Sequence, residues 1–118
     1  MLTIQQDDTL EGYTICRPIG ELDAFTVSQF RQALSEMASS KRLLIDMSGI
    51  PFVDSAGLGA LIGGIRRTRE LGGEVAVACN RPTLVRLLRT TGFDRIVTVV
   101  ETVEEAAAAL AKAVAVDE

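Results

Sequence analysis

Histidine is absent from this sequence of 118 residues, and its absence removes much of enzyme chemistry. No Ser-His-Asp triad or Cys-His pair can form, and the commonest general base is missing. A metal site would have to be built from carboxylates alone. We therefore expect a protein that is not an enzyme, with no catalytic residues, no metal and no cofactor.

Cysteine and aromatic residues are scarce. The two cysteines, Cys16 and Cys79, lie far apart in strand-like runs and provide neither a C-x-x-C redox motif nor a zinc knuckle. We expect both to be buried, reduced thiols. There is no tryptophan, and aromatic residues make up only 4% of a chain that is 47% hydrophobic. This aliphatic composition favours a compact α/β protein, and the length suits a single domain over residues 1–118.

Long apolar runs and a basic charge balance are also missing. No run reaches the roughly 18 residues needed to span a bilayer, and no cleavable leader opens the chain, so we expect a cytoplasmic protein with no membrane partner.

The net charge of −4 argues against direct nucleic-acid binding, which depends on neutralising phosphates. Seven of the twelve basic residues still cluster, and either a solvated helix surface or a partner-binding patch explains them. They are Arg66, Arg67, Arg69, Arg81, Arg86, Arg89 and Arg95.

Strand-like and helix-like segments alternate along the chain. Alternating polarity at residues 2–4 and 13–17 predicts an antiparallel hairpin, and three more strands are predicted at residues 43–47, 74–79 and 96–99. The apolar run at residues 43–47 is typical of a central strand covered on both faces. Helices are predicted at residues 26–39, 55–71 and 82–91, and from residue 102 onward, with capping-box sequences at Thr26–Gln29 and Thr102–Glu105. This order predicts parallel β-α-β units after the hairpin.

The segment Asp-Ser-Ala-Gly-Leu-Gly at residues 54–59 joins a strand-like run to a helix-like run. Ser55 is therefore expected at a helix N-terminus, where unpaired backbone N–H groups and the helix dipole stabilise an anion. Phosphorylation of this serine would add roughly 1.5 to 2 negative charges. The alternative is that Asp54 or Ser55 is an ordinary N-cap, which these residue types favour at any helix start.

Common catalytic and nucleotide-binding motifs are absent. Ile62 occupies the place of the third glycine of G-x-G-x-x-G, and neither a G-x-x-x-x-G-K-[ST] loop nor a G-x-S-x-G elbow is present.

The helix after Ser55 carries four glycines within residues 57–64, and each costs about 1 kcal/mol relative to alanine. Small residues let another backbone come close, either from the same fold or from a bound protein. We expect the bound protein at Gly59 and Ala60, one turn from Ser55.

Three segments, in this order and spacing, resemble bacterial anti-sigma factor antagonists (anti-anti-sigma factors) of the STAS-domain family. They are Gly20-Glu21-Leu22-Asp23, Leu44-Ile45-Asp46-Met47-Ser48 and Phe52-Val53-Asp54-Ser55-Ala56-Gly57-Leu58-Gly59. The similarity continues through residues 80–82 and 88–93 and so covers nearly the whole chain. It implies the STAS-domain fold, an α/β fold with a mixed, mostly parallel sheet of about five strands and about four α-helices packed mainly on one side.

The same resemblance implies a function for Ser55. It would be the phosphoacceptor of an ATP-using anti-sigma factor serine kinase, and a phosphatase would restore it. The unphosphorylated chain would bind the anti-sigma factor and free a sigma factor for transcription. Two other functions stay open, a small nucleotide- or anion-binding STAS module and a scaffold component of a larger signalling assembly. The implied partner-binding residues are Asp23, Asp54, Ser55, Ala56, Gly57, Gly59 and Ala60.

Overall fold

Five β-strands form one mixed sheet whose spatial order follows the chain order. The first pair is antiparallel and the other pairs are parallel, which confirms the predicted hairpin and the β-α-β units. The computed structural model describes the backbone of residues 1–117 and the side chains of residues 1–112, so residue 118 of the predicted domain lies outside it. The strands are β1 (Leu2–Asp7), β2 (Thr14–Gly20), β3 (Arg42–Asp46), β4 (Glu74–Ala78) and β5 (Thr98–Val100).

Four α-helices connect or follow the strands. The helices are α1 (Val27–Met37), α2 (Ser55–Glu70), α3 (Pro82–Thr90) and α4 (Val103–Asp117). The first three supply buried side chains to the larger core on one face of the sheet, and α4 packs on the opposite face over a smaller core. Three of the four helices thus lie on one side, as the family resemblance implied. In the described part of the chain, no helix combines the length and apolar character that crossing a bilayer requires.

The central strand β3 joins the two cores. Leu43 and Ile45 belong to the larger core and Leu44 to the smaller one, and all three are fully buried. Alternate side chains of a strand point to opposite faces, so a strand covered on both faces has an unbroken apolar run. Full burial of each such side chain contributes roughly 1.5–3 kcal/mol. The central position predicted for this strand is confirmed.

Two local predictions need correction. The capping box expected at Thr26 does not form, because the Thr26 hydroxyl donates to the Glu21 carbonyl at 2.8 Å and accepts from the Asp23 N–H at 3.1 Å. The last strand begins at Thr98, later than expected. A 3₁₀ turn at Phe93–Arg95 precedes it, and the Phe93 carbonyl accepts hydrogen bonds from the N–H groups of residues 96 and 97.

Both cysteines are buried and free, which confirms that prediction. Burial raises the pKa of the Cys16 thiol to about 12. A thiol with so high a pKa holds its proton at neutral pH and is a poor nucleophile.

Arg17 on β2 ties three strands together. Its guanidinium lies 2.8 Å from the Asp7 carboxylate on β1 and 3.4 Å from the Asp46 carboxylate on β3. The hydroxyl and backbone N–H of Thr9 also donate to Asp7. These donors, Thr9 first and Arg17 second, lower the pKa of Asp7 to about 2.

The titration of Asp7 tests this arrangement. An unfolded aspartate has a pKa of about 3.9, so the folded state, in which the pKa of Asp7 is about 2, favours the ionised form. The stability that Asp7 contributes is therefore present above about pH 3.9 and is lost as the pH falls from there toward 2. We predict a carboxyl NMR midpoint near pH 2 and a higher midpoint in Thr9→Ala, which lacks the hydroxyl donor. A midpoint near the unfolded value in the unaltered chain would contradict the hydrogen-bonded geometry.

Two adjacent glycines of α2 give a matched test of helix packing. A Cβ added at Gly64 would lie 2.5 Å from Leu34 Cδ1 on α1, whereas one at Gly63 would meet nothing within 4 Å. We predict that Gly64→Ala lowers the free energy of unfolding, because overpacking costs roughly 1–3 kcal/mol and outweighs the gain in helix propensity. Gly63→Ala should raise it by up to about 1 kcal/mol. Urea denaturation measures both, and equal stabilisation by the two variants would argue against this packing.

Candidate functional site

Two loops meet beyond the carboxyl ends of β2 and β3. Leu22, after β2, and Val53, after β3, form an isolated parallel bridge. The Leu22 N–H donates to the Phe52 carbonyl, and the Asp54 N–H donates to the Leu22 carbonyl. These bonds carry the chain directly into α2, so the start of this helix is fixed relative to the sheet.

Ser55 is the first residue of α2, and its side chain is exposed. Asp54 supplies the N-cap, so the Ser55 hydroxyl is not used for capping. The sequence left open which of these two residues caps the helix, and the structure assigns that role to Asp54. An exposed hydroxyl at a helix N-terminus is accessible to an enzyme that modifies serine.

Both oxygens of the Asp54 carboxylate accept hydrogen bonds. Oδ1 accepts from the Gly57 N–H at 2.9 Å, and Oδ2 accepts from the Ala24 N–H at 3.1 Å. The first bond caps α2 and the second holds the loop between β2 and α1. Asp54 therefore positions two segments together. One is the turn at residues 54–57 that begins α2, called the Ser55 turn below, and the other is the loop between β2 and α1.

Asp23 organises the same loop from within. Its Oδ1 accepts from the backbone N–H groups of Phe25 at 2.9 Å and of Thr26 at 3.2 Å. Asp23 is half-buried, and it is joined to Asp54 through the intervening Ala24. The sequence-predicted residues Asp23, Asp54 and Ser55 thus lie on one surface, with the two carboxylates directed to backbone donors.

The small residues of α2 divide into two groups. Gly57 is buried, and an added Cβ would lie 2.7 Å from Leu22 Cγ, so close packing within the fold explains this glycine. Ala60 is also buried. Gly57 and Ala60 therefore expose little surface in the isolated chain, and their contact with a partner stays a prediction.

Ala56 is partly exposed, and Gly59 is exposed with nothing within 4 Å of an added Cβ. Close packing within this fold therefore does not explain the glycine at position 59. This residue borders a cleft of about 340 Å³ between α1 and α2, which is flanked by Arg31 and Arg67.

Two of the clustered arginines have structural roles. Arg81 donates to the Ser48 carbonyl at 2.6 Å and supports the loop that leads to Asp54. Arg69 donates to the Ile96 carbonyl at 2.7 Å. These two side chains make hydrogen bonds within the fold, so a solvated helix surface explains only part of the basic cluster.

Sequence reasoning missed two exposed aromatic side chains beside the Ser55 turn. Phe25 is 96% exposed and Phe52 is 55% exposed, whereas Phe30 and Phe93 are fully buried. A signal was present, because Phe25 follows Asp23-Ala24 in a loop segment and lies outside the apolar stripe of α1. Nothing in the sequence alone shows that this ring stays in solvent.

Comparison with known proteins identifies the family. Residues 3–106 match the STAS domain. An anti-sigma F factor antagonist of Paenibacillus polymyxa is 32% identical over 88 residues, which cover 72% of this chain and 75% of that protein. The crystal structure of an anti-sigma factor antagonist from Mycobacterium paratuberculosis is similar with a TM-score of 0.84 and 26% identity, covering 92% of this chain and 93% of that one.

The fold also matches the Bacillus cell fate determinant SpoIIAA in its phosphorylated form. The TM-score is 0.68 and the identity is 22%, with 92% of this chain and 99% of that one covered. This likeness supports the fold assignment. Because the domain match spans most of the sequence, the chain belongs to the STAS domain family, which it shares with bacterial anti-sigma factor antagonists.

Proposed function

We propose that this chain is an anti-sigma factor antagonist that acts in the cytoplasm. In its unphosphorylated form it binds an anti-sigma factor kinase and frees a sigma factor for transcription. Phosphorylation of Ser55 by that kinase ends the binding, and a phosphatase restores it. The chain is a kinase substrate and not an enzyme, and it contacts neither nucleic acid nor membrane.

The observation that carries the proposal is the exposed Ser55 hydroxyl at the start of α2, left out of the helix cap by Asp54. The similarity to antagonists named for their action on anti-sigma factors supports the choice of partner. The docking surface is centred on Ser55 and includes Ala56 and Gly59, with Asp23 and Asp54 shaping it through their hydrogen bonds.

The position of Ser55 lets a phosphate be accommodated without unfolding the site. The first turn of a helix has backbone N–H groups with no intrahelical partner, and the helix dipole favours an anion there. The Gly57 N–H donates to the Asp54 carboxylate and the Leu58 N–H donates to the Asp54 carbonyl, which leaves the N–H groups of Ser55 and Ala56 for a phosphate. SpoIIAA, which has this fold, exists in a phosphorylated form.

The same phosphate opposes docking. It adds roughly 1.5 to 2 negative charges beside Asp54 in the contact surface. A negative group of the partner about 4 Å from this phosphate would repel it by roughly 4 kcal/mol per pair of unit charges at an effective dielectric near 20, an upper guide for a hydrated site. If about 2–4 kcal/mol opposes docking, the affinity falls roughly 30- to 1,000-fold.

Substitution of Ser55 tests the switch. The partner is first captured from native lysate with Ser55→Ala, identified by mass spectrometry as an anti-sigma factor kinase, and purified for calorimetry. We predict that Ser55→Ala binds it as tightly as the unmodified chain does, and that Ser55→Asp binds at least about tenfold more weakly because of its added charge. Ser39→Asp is the matched control, since Ser39 is exposed before β3, at the other end of the sheet. Equal affinity of the three variants would refute the switch.

Substitution of Asp54 tests the positioning of the acceptor. An amide keeps one of the two acceptor oxygens, so Asp54→Asn loses the hydrogen bond at Gly57 or at Ala24. We predict faster amide hydrogen exchange at one of these residues and slower phosphorylation of Ser55 by the purified kinase. Asp94→Asn, at an exposed site after α3, should change neither quantity. A normal phosphorylation rate alongside faster exchange would show that the kinase does not need this positioning.

A further inference from the structure

Two phenylalanine rings lie exposed on the loops that flank the Ser55 turn. Phe25 belongs to the loop between β2 and α1, and Phe52 belongs to the loop between β3 and α2. Their exposed fractions are 96% and 55%, whereas both other phenylalanines are buried in the core. Single exposed apolar residues are ordinary on protein surfaces. Two exposed aromatic rings on the loops on either side of Ser55 are a more specific arrangement than a single exposed apolar residue.

The backbone that carries these rings is held in place. The Phe25 N–H donates to the Asp23 carboxylate at 2.9 Å, and the adjacent Ala24 N–H donates to the Asp54 carboxylate at 3.1 Å. The Phe52 carbonyl accepts from the Leu22 N–H at 3.1 Å. The two loops are thus joined to each other and to the cap of α2. A ring presented from a fixed loop loses less conformational entropy on binding than one on a mobile segment.

We propose that Phe25, assisted by Phe52, is the apolar anchor through which this chain docks on its partner. The occupant is the anti-sigma factor kinase of the proposed function, on which this inference rests, and the partner presents an apolar pocket that receives the Phe25 ring. Phe25 lies on the same surface as Ser55, because the Asp54 carboxylate connects the Phe25 loop directly to the start of α2, and a partner that docks at Ser55 therefore meets this ring. Aromatic side chains that fill a desolvated pocket contribute strongly to interfaces.

An apolar anchor also accounts for the direction of the switch. A phosphate on Ser55 would stand beside an apolar contact, where docking would remove water from it without supplying paired groups. The phosphate then opposes docking through its desolvation, even where the partner carries no negative charge. Affinity of the unmodified chain should depend only weakly on salt, because apolar contacts are not screened as charge pairs are.

The test is calorimetry with the purified kinase and the full chain. We expect Phe25→Ala to weaken binding about 30-fold or more and to make the heat-capacity change of binding less negative, with Phe25→Leu in between. Leu71→Ala is the matched control, because Leu71 is 51% exposed at the opposite end of α2. Phe25→Ala and Leu71→Ala should both keep the thermal midpoint of the unmodified chain.

The outcomes separate this inference from the proposed function. If Ser55→Asp loses binding while Phe25→Ala binds within about twofold of the unmodified chain, the anchor is refuted and the switch stands. If the unmodified chain does not bind the kinase at all, the proposed function fails. If Phe25→Ala changes the sedimentation of the isolated chain from dimer to monomer, the ring serves a second copy, and the proposed occupant is wrong.

Discussion

The hydrogen bonds of the Asp54 carboxylate are the constraint on which the proposed docking surface depends. One oxygen caps α2 and the other holds the loop after β2, so two segments far apart in sequence are fixed against each other. A helix cap of this kind contributes about 0.5–2 kcal/mol. Here it has a second consequence, since it frees the Ser55 hydroxyl from capping and leaves it in solvent.

The division between Asp54 and Ser55 suits a switch that acts at the surface. The residue that holds the structure and the residue proposed to accept the phosphate are adjacent but separate, so phosphorylation of Ser55 need not remove the hydrogen bonds of Asp54. Beneath them, Gly57 allows the side chain and carbonyl of Leu22 to pack against α2. The proposed phosphate would therefore alter the charge and hydration of a rigid surface, and the core would not need to rearrange.

The sequence predicted the elements whose signals are local. The apolar run of β3 and the start of α2 at Ser55 need only neighbouring residues, and both were predicted correctly, whereas the sequence left open whether Asp54 or Ser55 caps the helix. The capping box at Thr26 failed because Asp23 and Glu21 compete for the Thr26 hydroxyl, and that competition depends on the geometry of the loop. Local patterns identify a residue's options, and the tertiary environment selects among them.

The glycines and phenylalanines show the same limit at the site. Gly57 and Gly59 look equivalent in the sequence, yet Leu22 crowds the first and nothing approaches the second. The position of Phe25 outside the apolar stripe of α1 is visible in the sequence, but the 96% exposure of its side chain is not. Burial and open space depend on contacts between distant segments, which a single sequence does not reveal.

The central claim is that a phosphate on Ser55 controls docking. The most direct measurement is the calorimetric affinity of the chain phosphorylated stoichiometrically at Ser55, compared with the unmodified chain, for the same purified anti-sigma factor kinase. We expect the phosphorylated chain to bind roughly 30- to 1,000-fold more weakly, which corresponds to about 2–4 kcal/mol. Equal affinity of the phosphorylated and unmodified chains would contradict it.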